Sequence, residues 1–159
     1  KELIFKFNRE SVSLIKIVRF VNYFPEKEYQ MIFNSMPIFC IDFLITCKDK
    51  YLLIKRKDEP LKNKYFVIGG RMLFNEKIED AARRIQKREI GKYYSNFNEI
   101  GFSNYIFPKT KESRATHTPS LLFKISVSKI FNPLIDNENN SFIWSNKIPN
   151  ELLKQTIFF

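Results

Sequence analysis

The chain has 159 residues, 27 of them Lys or Arg and 17 Asp or Glu, for a formal net charge of +10. At this length one compact domain is expected, with a core that needs no disulfide staples. An apolar content of 44%, with 16% aromatics, excludes disorder throughout, and 4 Gly with 7 Pro exclude collagen-like sequence. The longest apolar stretch, Pro37 to Cys47, is interrupted by Asp42. It falls far short of the roughly 20 apolar residues of a membrane helix. With no visible signal peptide, the expectation is a cytoplasmic protein without a membrane partner. Cys40 and Cys47 lie in that apolar run and read as buried reduced thiols with no metal spacing. The positive charge suits nucleic acid, an anionic surface or a phosphate-bearing ligand, and composition does not choose among them.

Along the chain, Val12, Ile15, Val18 and Val21 give Glu10 to Phe24 the spacing of a helix with a broad apolar face. This extension, residues 1–24, has several open assignments: extra core, a cover for the sheet, a homodimer contact, or the tail of something longer. Pro25 suits the first turn of a helix over Glu26 to Ser35, which Pro37 ends. Ile38 to Thr46 is β-branched and aromatic, a strand, and Tyr51 to Lys57 returns from a turn at 48–50. Lys57 to Lys64 is a polar loop, and Tyr65 to Ile68 a short strand running into Gly69-Gly70. The clearest helix starts after Asn75 as N-cap. Ile78, Ala81, Ala82 and Ile85 form its core stripe, and Gly91 ends it. Strands follow over Ile100 to Phe107 and Ser120 to Val127, separated by a polar loop from Pro108 to His117. A short strand over Phe142 to Trp144 and a last helix from Asn150 to Ile157 close the chain. The expected architecture is an α/β (α+β) sandwich of α/β/α layers with a mixed sheet, formed by residues 25–159.

Residues 70–91 carry the most specific pattern. Gly70 is followed by Glu76, Arg84, Glu89 and Gly91 at spacings that resemble the Nudix box, G-x5-E-x7-R-E-U-x-E-E-x-G-U, with U a bulky apolar residue. Ile85 and Arg88 stand where that box has Glu. The GDP-mannose mannosyl hydrolase branch of the family has a similarly depleted box. Gly69-Gly70-Arg71-Met72, Glu76, Arg84-Ile85 and Glu89-Ile90-Gly91 are similar to that version. The similarity extends to Pro37–Ile45, to Leu52–Arg56 (LLIKR), to Tyr65–Arg71 (YFVIGGR), to Thr116-His117 and to the segment from Asp136 to Trp144. It covers about Pro25 to Trp144.

The resemblance implies a Nudix fold and hydrolysis of a nucleotide sugar, GDP-mannose or GDP-glucose, by attack at the anomeric carbon. It implies magnesium, with manganese as the alternative, held by the Gly69 carbonyl, Glu89 and Glu138. Hard cations of this kind take oxygen ligands. Arg56 and Arg71 would clamp phosphate oxygens, and Asp42 would bind sugar hydroxyls. The branch's general-base His is Asn139 here, its Tyr after Thr-His is Thr118, and its His before the acidic loop is Tyr105. Glu138 or His117, the single histidine, is then the candidate base. Other readings stay open. Asp42 could be salt-bridged, Arg56 part of the surface run Lys55-Arg56-Lys57, and Glu138 plain solvent-facing charge. Arg84 is expected to pair with Glu76 or Glu89, and Trp144 to lie in the core. The alternative functions are a domain that binds sugar nucleotides with impaired catalysis, and a pyrophosphatase on another nucleoside diphosphate derivative. A nucleic-acid substrate is disfavoured by the missing box carboxylates.

Overall fold

A computed structural model describes residues 25–111, 114–134 and 141–159. The helix expected over Glu10 to Phe24, and Glu138 and Asn139, lie outside the described residues. The elements are α1 (Glu26–Ser35), β1 (Cys40–Cys47), β2 (Lys50–Lys55), β3 (Tyr65–Phe66), β4 (Ile68–Arg71), α2 (Ile78–Ile90), β5 (Asn98–Phe107), β6 (Thr116–Ser126), β7 (Phe142–Ser145), α3 (Asn150–Gln155) and β8 (Thr156–Phe158). The strands form one mixed sheet in the order β3-β2-β1-β6-β5-β8, with β4 also on β1 and β7 also on β2. Among the described strands only β1 and β6 run parallel. No helix of the described residues is long and apolar enough to cross a membrane.

Strand β1 organises the site. Side chains alternate across a strand, so Ile41, Phe43 and Ile45 face α2 and are fully buried against its Ala81, Ala82 and Ile85. Leu44, on the other face, packs with Leu53, Phe66, Leu122 and with Leu152 of α3. Asp42 and Cys40 share that second face. Across β1, Asp42 is in register with Gly69 of β4 on one side and Leu122 of β6 on the other. The α/β/α layering is the expected one.

Helix α2 keeps its predicted stripe and its predicted end. Gly91 takes a left-handed φ of 68° and donates to the Lys87 carbonyl at 3.0 Å. A Cβ at Gly91 would lie 2.6 Å from Cβ of Leu134, so glycine is needed for space as well as conformation. At α1, Met36 is extended, as a residue preceding proline prefers.

Three boundaries are corrected. α2 begins at Ile78 with Lys77 as N-cap, not after Asn75. Asn75 instead has φ 57° inside a tight turn closed by Glu76 N–H donating to Leu73 O. Strand β6 begins at Thr116, so Thr116 and His117, expected in the loop, and the two residues after them pair with β5. The last helix stops at Gln155, and Thr156–Phe158 add to the sheet edge against β5.

Candidate active site

Asp42 stands at the floor of a cavity of about 520 Å³ lined also by Arg56, Glu59, Gly69, Tyr105 and Arg114. It fits because Gly69 faces it. A Cβ at Gly69 would run into the Asp42 carboxylate and stand 2.9 Å from the Ile41 carbonyl. Burial pushes the Asp42 carboxyl up to about 6, and the Ser120 hydroxyl, the Arg56 charge and the Tyr105 hydroxyl pull it partly back. The Cys40 thiol, half-buried on the same cavity, is pushed up to about 12, first by burial and then by Asp42. Burial and the neighbouring carboxylate thus disfavour its thiolate form. Burial and the Asp42 charge raise the Tyr105 phenol above its ordinary range. Its hydroxyl feels Asp42, yet no hydrogen bond of ordinary geometry satisfies it. The Thr116 hydroxyl is in the same condition on the same cavity.

Arg56 leaves the end of β2 and is oriented by Nε donating to the Pro60 carbonyl at 2.7 Å. It lines both this cavity and a second hollow of about 320 Å³, which also takes in Gly69, Arg88 and Glu89. With Nε fixed, the fork of terminal nitrogens is held ready for a phosphate. Lysine at this position offers a point charge without the fork. Arg56→Lys should weaken binding of inorganic pyrophosphate, used as a plain oxyanion probe, about tenfold in calorimetry while leaving the melting temperature in place. Arg71 follows the Gly pair on the same sheet face as Gly69, close enough for its charge to act on Cys40.

Arg84 pairs with Glu76, the first of its two expected partners. Nε donates to Oε1 at 2.8 Å and Nη2 to Oε2 at 2.7 Å, and Nη2 also reaches the Arg71 carbonyl at 2.8 Å. Glu76 accepts the Leu73 N–H as well. This cluster ties the start of α2 to the Gly-Gly turn and leaves Glu76 to structure. Trp144 packs against the core and donates Nε1–H to Phe131 O at 3.0 Å.

His117 is not brought to the Asp42 cavity. It lines a separate hollow beneath the end of α1, with Nε2 2.8 Å from Asn104 Oδ1, while its neighbours Thr116 and Thr118 face the cavity. Alternation along β6 accounts for the split.

The implied metal ligands come together only in part. The Gly69 carbonyl and Glu89 both line the smaller hollow, but the Arg88 guanidinium lies on them. Arg88 Nη2 is 3.3 Å from Gly69 O and 2.7 Å from Glu89 Oε1, with Nε 2.8 Å from the same oxygen. Magnesium requires a near-octahedral oxygen shell. Among the described residues no group of three or more His, Cys, Asp or Glu could hold a metal. The implied cation position therefore offers, among the described residues, one carboxylate and one carbonyl, both contacted by the Arg88 guanidinium. Of the residues singled out from the sequence, Asp42, Arg56 and Gly69 come together on one cavity. Sequence reasoning missed Arg114 on the cavity and the contact of Arg88, whose one sequence signal was a cation at a carboxylate position of the box.

A sheet between helices, with a Gly-Gly turn feeding a helix beside an Arg-lined cavity, defines an α/β/α domain with a candidate site at that turn. The chain belongs to the Nudix family: the NUDIX domain model matches residues 38–147. Among curated relatives it is similar to the low-salt glycan biosynthesis protein Agl8 of Haloferax volcanii, 33% identical over 67 residues, which are 42% of this chain and 43% of that protein. The chain thus aligns with less than half the length of that relative. Among solved structures it is similar to the NUDIX domain of Shewanella oneidensis NrtR complexed with ADP ribose, at TM-score 0.55 and 14% identity, covering 83% of this chain and 88% of that one. A MutT/nudix family protein from Enterococcus faecalis has TM-score 0.51 and 20% identity, covering 87% of this chain and 56% of that one. At these identities the structural likenesses speak for the fold. Nudix hydrolases as a family act on phosphate-linked substrates with a divalent metal, which makes the contact of Arg88 a departure within the family.

Proposed function

We propose that the chain hydrolyses a nucleotide sugar, GDP-mannose or GDP-glucose for preference, releasing free sugar and GDP. The observation that carries this reading is the buried Asp42 beside Arg56 and Arg114 in one cavity at the Gly-Gly turn. The relative named for glycan biosynthesis supports a sugar-bearing substrate.

In this reaction water attacks the anomeric carbon. The bond from that carbon to the diphosphate oxygen breaks, and GDP leaves with the electron pair. Arg56 holds the charge that develops on the leaving diphosphate. Ionised Asp42 accepts a hydrogen bond from a sugar hydroxyl or the proton of the attacking water, and its raised pKa suits it to proton transfer near neutrality.

The test is product analysis after incubating the purified chain with GDP-mannose, GDP-glucose and ADP-ribose, each with Mg²⁺, with Mn²⁺ and with EDTA. Free sugar plus GDP is the expected result. Sugar phosphate plus GMP would place the attack at phosphorus and make the protein a pyrophosphatase on nucleoside diphosphate derivatives. Binding without any product would leave a sugar-nucleotide-binding domain. His117 in a separate hollow is the observation that favours this second reading. An Asn139→His change that started turnover would support it further.

A further inference from the structure

We propose that the Arg88 guanidinium is a built-in cation that stands in for a divalent metal on the Gly69 carbonyl and Glu89, and that it receives a diphosphate directly. Three observations place it there. Its Nη2 lies against the carbonyl of a residue 19 positions earlier and the Glu89 carboxylate together. A Cβ at Gly70 would be 2.9 Å from that Nη2, so the glycine gives the guanidinium room to lie over the turn. And the hollow it lines is cationic, with Lys55, Arg56, Lys57 and Arg88 set against Asp58 and Glu89.

The chemistry follows from what a guanidinium offers. It carries five N–H donors and remains charged at any working pH. Nε and Nη2 are used on Glu89 and Gly69. The donors of Nη1 are left for an incoming oxyanion. One guanidinium supplies a single charge where a divalent ion supplies two, and Arg56 on the same hollow supplies the second. A diphosphate bridging Arg88 and Arg56 would set the attached sugar into the adjoining cavity, because Arg56 and Gly69 line both spaces. The box position that carries a ligand carboxylate in the family pattern would here carry the counter-ion of the substrate.

The inference takes only the diphosphate from the proposed function, so its test uses inorganic pyrophosphate, which has neither base nor sugar. Calorimetry on the full chain should show pyrophosphate binding in EDTA with no need for Mg²⁺. Arg88→Gln should weaken that binding about tenfold or more, as expected for loss of a charge-assisted fork. Manganese titration followed by electron paramagnetic resonance should show Arg88→Glu binding Mn²⁺ about tenfold more tightly than the parent chain, since a cation gives way to a ligand carboxylate. Melting curves establish that both variants are folded, and the measurement in EDTA needs no variant at all. Pyrophosphate binding that requires Mg²⁺, unchanged pyrophosphate affinity in Arg88→Gln, or equal Mn²⁺ affinity in the parent chain and Arg88→Glu would each overturn the proposal. Hydrolysis of GDP-mannose that depends on Mg²⁺ would overturn it while keeping the substrate reading. Metal-free pyrophosphate binding without turnover of any nucleotide sugar would do the reverse.

Discussion

Asp42→Asn should lower turnover by about a hundredfold or more, the range for loss of a proton-transfer group, and at the same time raise the melting temperature at pH 8. The two effects share one cause. Asp42 is buried, and burial disfavours its charged form, which lifts its pKa from 3.8 to about 6. Between those two values the folded chain binds more protons than the unfolded one. The stability tied to Asp42 is therefore fully present below about pH 4 and is lost as the pH rises through 6. At pH 8 the folded protein holds an ionised carboxylate against the preference of its surroundings. At about 1.4 kcal/mol per pH unit, the cost is on the order of 2–3 kcal/mol. An isosteric amide removes the charge and can bond to the Ser120 and Tyr105 hydroxyls. At about 2–4 °C per kcal/mol for a chain of this size, Asp42→Asn should melt roughly 5–10 °C higher than the parent at pH 8 and gain little at pH 4.5. The parent's rate should climb from pH 5 to pH 7 with its midpoint near 6, and the variant should lack that limb. A variant that melts lower than the parent at pH 8, or keeps the limb, would refute the account. Strain or charge held at a site in exchange for activity is a recurring pattern in enzymes.

The legible parts of this molecule are those written in local pattern. Alternation in β1 put Asp42 on the face of Cys40 and Leu44, opposite the apolar face, because strand parity needs no tertiary information. The α2 stripe and its Gly91 end were legible for the same reason. What was not legible depends on contacts far apart in sequence. Asn75 has the chemistry of an N-cap, but Glu76 is committed to Arg84 and to the Leu73 N–H, and the turn this forms moves the helix start to Ile78. Thr156–Phe158 are β-branched and aromatic, and they leave the helix to pair with the edge of β5. His117 has no assignable face when it stands at the end of a loop. Pairing with β5 makes it part of a strand, and parity then sends the ring away from Asp42. Arg88 was visible as a substitution in the box, but its reach to Gly69 exists only once α2 folds back over the Gly-Gly turn.

The box contains two Arg–Glu pairs, and burial sets them to opposite tasks. In the inner pair, Arg84 and Glu76 have side-chain exposures of 27% and 6%, and the guanidinium also holds the Arg71 carbonyl. Arg84→Met should therefore lower stability by about 3–5 kcal/mol, because it leaves the Glu76 carboxylate buried without its counter-charge. At about 2–4 °C per kcal/mol the melting temperature should fall by roughly 6–20 °C. Glu76→Gln should cost less, since the amide keeps a hydrogen bond and buries no charge. Combining the two changes should cost less than their sum, as partners in one network do. In the outer pair, Arg88 and Glu89 are 52% and 29% exposed. Water screens such a pair, and Arg88→Gln should shift stability by less than about 1 kcal/mol. Thermal melts of Arg84→Met and Arg88→Gln beside the parent chain check the contrast. Equal melting temperatures for the two variants would mean that the inner pair does not hold the Gly-Gly turn. A large difference leaves Arg88 as the box arginine whose position the fold does not require, which is the condition under which its contact with Gly69 and Glu89 is to be explained by a ligand.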